Sequence, residues 1–159
     1  MDDIRYLKEA NEIARKARAD GNTPFGAVLV DANGKIVMSQ GNAETDLHDA
    51  TAHAERMLAS RASQTFEKDY LKKCTLYTTV EPCPMCTGAI YWANIGRIVY
   101  GISEVQLLEM TGADDKNPTF SMGAEKVIAA GQKNIKVDGP YQEIAQDVIE
   151  VHKGFWNKK

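Results

Sequence analysis

Residues 74–80 (Cys-Thr-Leu-Tyr-Thr-Thr-Val) carry no charge and consist mainly of β-branched, aromatic and apolar side chains. Such a run reads as a buried strand. Pro82 and Pro84 punctuate its end, and Pro84 suits the first turn of a helix over 85–93. A buried strand needs apolar layers on both sides, and the rest of the chain is written to supply them. Residues 2–20 read as an amphipathic helix, with Ile4, Leu7, Ala10, Ala14 and Ala17 spaced by three or four and Gly21 as a stop. The apolar run 25–31 and Ile36-Val37-Met38 flank Asn33-Gly34, which predicts a β-hairpin. Residues 41–50 are polar and read as a loop, and 51–62 have helical composition with Asp49 or Thr51 near the cap. Residues 97–101 predict a further strand, 103–111 a helix, and 110–121 a Gly-, Asp-, Asn- and Pro-containing loop or lid. A short helix over 124–130 ends at Gly131, and 135–137 form a short strand. Pro140 opens a last helix with Ile144, Val148, Val151 and Phe155 on one face. Strands alternating with helices after an opening hairpin imply an α/β fold, a three-layer α/β/α sandwich around a mixed five-stranded sheet.

A chain of 159 residues predicts one domain spanning 1–159, long enough to bury a core. Hydrophobic residues at 43% and charged residues at 26% are ordinary globular values, which argues against a disordered tail protein. No apolar run approaches the roughly 18 residues of a membrane span. Met1-Asp2-Asp3 is acidic and lacks the apolar region of a signal peptide, so the expectation is a cytoplasmic protein. A net charge of −3 supplies no global positive field for nucleic acid or anionic lipid.

The three cysteines, Cys74, Cys83 and Cys86, are too few and too unevenly placed for a disulfide framework. Cys83 and Cys86 form a Cys-x-x-Cys pair, which is either metal-binding or redox-active. Thirty residues upstream of Cys83 stands Thr51-Ala52-His53-Ala54-Glu55. Zinc takes nitrogen and sulfur ligands in a tetrahedron, and a catalytic zinc leaves one position open. His53, Cys83 and Cys86 supply three ligands and leave the fourth place vacant. All three fall near predicted helix N-termini, where partial positive charge favours thiolate. Glu55 is close enough to reach a metal-bound water without ligating the metal. A redox pair needs neither the His-x-Glu nor the Glu81-Pro82 before the first cysteine. Cys74, at the start of an apolar strand, reads as a buried thiol. A zinc-stabilised binding module would need a fourth ligand and would leave Glu55 unexplained. The joint pattern of His-x-Glu with Pro-Cys-x-x-Cys is that of zinc-dependent nucleobase deaminases.

On these residues the chain resembles the cytidine-deaminase-like superfamily, in its free-base and tRNA branch. The resemblance is carried by Pro24-Phe25-Gly26-Ala27-Val28, Gly41-Asn42, the run 49–55, and Glu81-Pro82-Cys83-Pro84-Met85-Cys86 with Gly88-Ala89-Ile90. Ala50 stands where the family commonly has proline. The resemblance implies the cytidine-deaminase-like fold, a Zn2+ cofactor, and a reaction in which water replaces an amine on a base and ammonia leaves. In that reaction Glu55 takes the proton of the attacking water and returns it to ring and leaving amine.

The resemblance further implies that Asn42 hydrogen-bonds the base, that backbone around Ala54 fixes its amide face, and that Phe25 packs beside it. Bacterial guanine deaminases carry Gly-Phe-Asp-Asp after the fourth strand, and Gly112-Ala113-Asp114-Asp115 is similar, with alanine in place of the aromatic. That match makes Asp114 a catalytic candidate and Asp115 its neighbour at the substrate. Yeast-type cytosine deaminase is similar in Cys86-Thr87-Gly88-Ala89-Ile90 and in an aromatic-tipped last helix, where Trp156 would close over the base. The expected substrate is therefore guanine or a related amino-substituted base, with cytosine or isocytosine as the alternative. A tRNA adenosine substrate is the weaker expectation, because residues 141–159 balance three acidic residues against three lysines. Water is the co-substrate. Homodimers are common in this branch, and the apolar Ile90-Tyr91-Trp92 hints at a second contact on its helix.

Overall fold

The computed structural model describes residues 2–112 and 118–156. Its strands are β1 (Gly26–Val30), β2 (Ile36–Gly41), β3 (Thr75–Val80), β4 (Arg97–Ile102) and β5 (Lys136–Asp138). They form one five-stranded sheet in the order β2-β1-β3-β4-β5. β1 pairs antiparallel with both β2 and β3, while β3, β4 and β5 run parallel. The central β3 is buried at every position, as its composition predicts.

The helices are α1 (Asp3–Ala19), α2 (Glu44–Leu47), α3 (Ala54–Thr65), α4 (Lys68–Lys72), α5 (Pro84–Ala93), α6 (Glu104–Thr111), α7 (Ala124–Ala129) and α8 (Gln142–His152). Side chains alternate across a strand, so each strand feeds two cores. Ala27, Leu29, Leu76 and Ile98 pack against Leu58 and Ala62 of α3 and Ile90 of α5. Val28, Val30, Tyr77 and Val99 pack against Leu7 and Ala10 of α1 and Ile144 and Val148 of α8. The result is the expected three-layer α/β/α architecture. No helix among the described residues is long and apolar enough to cross a membrane. On α5, Ile90 is buried and Trp92 is 75% exposed.

Some boundaries differ from the sequence expectation, each for a local reason. The helix expected from residue 51 begins at Ala54, because Asp49 Oδ1 accepts from the Thr51 backbone N–H and hydroxyl, both at 2.8 Å. That turn spends the capping group three residues early. The loop 41–50 contains α2, and α4 precedes β3. The last helix begins at Gln142, two residues beyond Pro140.

Strand register decides what meets at one edge of the sheet. Gly26 faces Gly41, Ala27 faces Thr78, and Val80 faces Ile102. The residue before β1 (Phe25), the one after β2 (Asn42), the one after β3 (Glu81) and the residues after β4 (Ser103, Glu104) therefore share that edge. Gly26 admits α1 to it: a Cβ there would lie 2.5 Å from both Ala10 O and Ala14 N.

Candidate active site

Two helices start at this edge, and metal-ligand residues cap both. His53 is the N-cap of α3 and Cys83 the N-cap of α5, with Cys86 one turn inside. Pro84 at the first position of α5 costs nothing there, since its missing N–H would be an orphan in any case. Both helix N-termini thus direct partial positive charge at the sulfurs and at Glu55, the second residue of α3.

His53 Nδ1 lies 3.7 Å from Cys83 Sγ and 3.6 Å from Cys86 Sγ. The three donor atoms fall within 4.8 Å of one another. Zn–N bonds of about 2.05 Å and Zn–S bonds of about 2.3 Å at the tetrahedral angle separate nitrogen and sulfur by roughly 3.6 Å. The observed spacings match that edge, so this donor set fits zinc with a fourth position open to the cavity. The electrostatics agree. Contact with the Cys86 sulfur, and then with His53, lowers the Cys83 thiol to about 4, whereas the Cys86 thiol is driven up by Cys83 and by burial. Contact with Cys83 raises His53 to about 9. A divalent cation bound here would displace the proton that burial and Cys83 keep on Cys86.

Glu55 is buried, and burial pushes its carboxyl up to about 7, with the Cys83 charge adding and His53 opposing. A carboxyl poised near neutrality can both take and give a proton. It faces a cavity of about 480 Å3, within the size range of small-ligand sites.

The structure brings Phe25, Asn42, His53, Glu55 and Cys83 together around that cavity. Cys86 is fully buried behind it. Asn42 makes a local turn with Glu44: its Oδ1 accepts the Glu44 N–H at 3.0 Å, and its Nδ2 donates to Glu44 Oε1 at 2.7 Å. One amide N–H and one oxygen lone pair remain for a ligand. Ala54 has its side chain in the core beneath α3 rather than in the cavity. Trp156 is not among the cavity-lining residues. It packs 6.1 Å from the Phe25 ring and stacks on His152, whose Nδ1 accepts its indole N–H at 3.0 Å. Asp114 and Asp115 lie outside the described residues.

Of three further carboxylates at the site, Glu44 and Glu104 were not singled out from sequence, and Glu81 was read only as part of the cysteine motif. Glu44 Oε1 lies 3.6 Å from His53 Nε2. Glu81 accepts the backbone N–H of Glu104 at 3.1 Å and that of Ala124 at 2.9 Å, tying the starts of α6 and α7 to the end of β3. Glu104 is buried and lines the cavity. Register was the signal available for Glu104, since it follows a parallel strand beside β3. Its neighbours Ser103 and Gln106 form a capping box at the start of α6.

Residues 1–102 match the family model for the cytidine and deoxycytidylate deaminase zinc-binding region. Among curated relatives, the chain is 40% identical over 155 residues to a probable cytosine deaminase of Schizosaccharomyces pombe, covering 98% of this chain and 93% of that one. It is 39% identical over 99 residues to a tRNA-specific adenosine deaminase of Bacillus subtilis, covering 62% of this chain and 61% of that one. Among solved structures, guanine deaminase from Bacillus subtilis superposes with a TM-score of 0.62 at 28% identity, over 100% of this chain and 98% of that one.

Proposed function

The chain belongs to the cytidine and deoxycytidylate deaminase zinc-binding family, and from that premise we propose that it hydrolytically deaminates a small free nucleobase, with cytosine as its substrate. The observation that carries the chemistry is the triad of His53, Cys83 and Cys86 at tetrahedral spacing with Glu55 beside it. The likeness to the fission-yeast protein over nearly the whole of both chains supports cytosine.

His53, Cys83 and Cys86 would hold the zinc, which when bound would supply a water of lowered pKa. Glu55 would take the first proton of the water and pass it to the ring nitrogen, then take the hydroxyl proton of the adduct and give it to the departing amine. Water enters, ammonia leaves, and the amino-bearing carbon becomes a carbonyl. Asn42 orients the base through its remaining N–H and oxygen, and Phe25 supplies an apolar wall backed by His152 and Trp156. A second reading, guanine, is favoured by the whole-chain superposition on the Bacillus subtilis enzyme.

The test is ammonia release from the zinc-loaded protein offered cytosine, isocytosine, guanine, their nucleosides and a tRNA anticodon stem-loop. Cytosine turning over fastest is the expected result. Preference for guanine selects the second reading, and activity on the stem-loop alone overturns the free-base reading.

A further inference from the structure

α7 begins without a cap of its own, because its N-cap residue, Gly123, has no side chain to offer the first N–H groups of the helix. The acceptor comes from another element. Glu81, at the end of β3, takes the Ala124 N–H on Oε2 at 2.9 Å and the Glu104 N–H on Oε1 at 3.1 Å. Its own backbone is held as well, the N–H donating to Ile102 O at 2.8 Å where the β3–β4 pairing ends. Glu81 is 7% exposed, and a buried carboxylate with a backbone N–H on each oxygen is costly to displace. Gly123 has an ordinary φ of −74°, so its backbone conformation does not call for glycine. The close approach does: a Cβ there would lie 2.9 Å from Glu81 Oε2.

The residues ahead of Gly123 form part of the cavity wall, which Pro118, Thr119 and Phe120 line. They have few anchors of their own. Phe120 and Met122 are 57% and 49% exposed, and no hydrogen bond to another described residue holds 118–122. The first tie from this wall to the sheet is Ala124 on Glu81. We infer that Glu81 is a positioning residue for substrate binding: through Ala124 it fixes where 118–120 stand, and so sets the affinity of the cavity for the base. The inference rests on the deaminase reading for the identity of the occupant. A substrate that meets a preplaced wall need not order it, whereas one that meets an untied wall loses binding energy to that ordering. The loss falls on binding rather than on the chemical step, which belongs to the triad and Glu55.

The test uses zinc-loaded wild type, Glu81→Ala, Glu81→Gln and Gly123→Ala. Bound zinc, amide hydrogen exchange, calorimetric binding of cytosine, and KM and kcat for cytosine are measured on each. Glu81→Ala should keep one zinc per chain and speed exchange at Glu104 and Ala124 by about tenfold or more, with the β3 amides unchanged. Its KM and its dissociation constant for cytosine should both rise by about tenfold, with kcat within about threefold of wild type. Glu81→Gln, which keeps one acceptor oxygen, should recover part of both effects. Gly123→Ala, whose Cβ crowds Oε2, should show the same pattern more weakly. Unchanged cytosine affinity in Glu81→Ala overturns the inference, as does a fall in kcat at constant KM, or zinc lost in step with affinity. Should Glu81→Ala fail to fold, unchanged affinity in Gly123→Ala overturns it. So does a wild type that binds no cytosine. Absence of ammonia release from wild type, with cytosine bound and weakened by Glu81→Ala, counts against the deaminase reading and leaves Glu81 in its role.

Discussion

His53 Nε2 lies 3.6 Å from Glu44 Oε1, across the ring from the Nδ1 that faces both cysteine sulfurs. Glu44 is held in turn by Asn42, whose Nδ2 donates to the same oxygen. A carboxylate on the far nitrogen fixes the ring's orientation and tautomer and raises its basicity toward a metal. Glu44→Ala should therefore weaken zinc binding by about 10–100-fold, read by competition with a chromogenic chelator. Glu44→Gln should recover part of the loss. Unchanged affinity in the alanine variant contradicts the positioning role.

His152 gives a pH prediction. It is 2% exposed, and burial, with Arg18 nearby, lowers its pKa to about 4 from 6.5. Its Nδ1 accepts from Trp156, so the ring proton sits on Nε2, which has no partner among the described residues. The unfolded chain takes up a proton as pH falls below 6.5, and the folded chain resists until about 4. Stability should fall through that window by about 3 kcal/mol and be flat above it. Chemical denaturation at pH 7.5 and pH 5 should capture about 2 kcal/mol of this, and His152→Phe should remove the His152 share of the difference. An equal difference in the variant contradicts the assignment.

Asp3 carries the opposite-signed group. Burial raises its pKa, but hydrogen bonds from Arg97, Tyr77 and Tyr141 outweigh this and hold it near 2. Arg97 engages both Asp3 oxygens, at 3.0 and 2.9 Å, and Asp138 at 2.8 Å, which ties α1 to β4 and β5. The depressed carboxylate stabilises the fold fully above about pH 4, and the contribution is lost as pH falls from 3.8 toward 2. Asp3→Asn should cost about 2 kcal/mol at pH 7 and progressively less below pH 4. Denaturation curves of both proteins across that range are the check, and a pH-independent difference would count against the network.

The features legible in sequence are those written in local chemistry. The run 74–80 announced a buried strand because nothing in it tolerates water, and Pro82 and Pro84 marked its end. His53, Cys83 and Cys86 were legible because few other tasks need those residues at that spacing. α2 was not legible, because its support is remote: Asn22 Oδ1 accepts the N–H groups of Thr45 and Asp46, more than twenty residues away. Glu44 and Glu104 were missed because a carboxylate near a turn is ordinarily solvated, and only strand register and burial make these two otherwise. Trp156 was expected over the base from the resemblance of the last helix to that of yeast-type cytosine deaminase. The described fold spends it on Phe25 and His152 instead, a packing that periodicity does not encode.

The most direct measurement compares wild type with Glu55→Gln, assaying bound zinc and ammonia release from cytosine on the same samples. Glu55 touches no metal-ligating sulfur in the proposed chemistry, so both proteins should hold one zinc per chain. Only wild type should release ammonia, with the variant down by at least about 100-fold. Equal turnover in the two proteins, or zinc lost together with Glu55, would contradict the account.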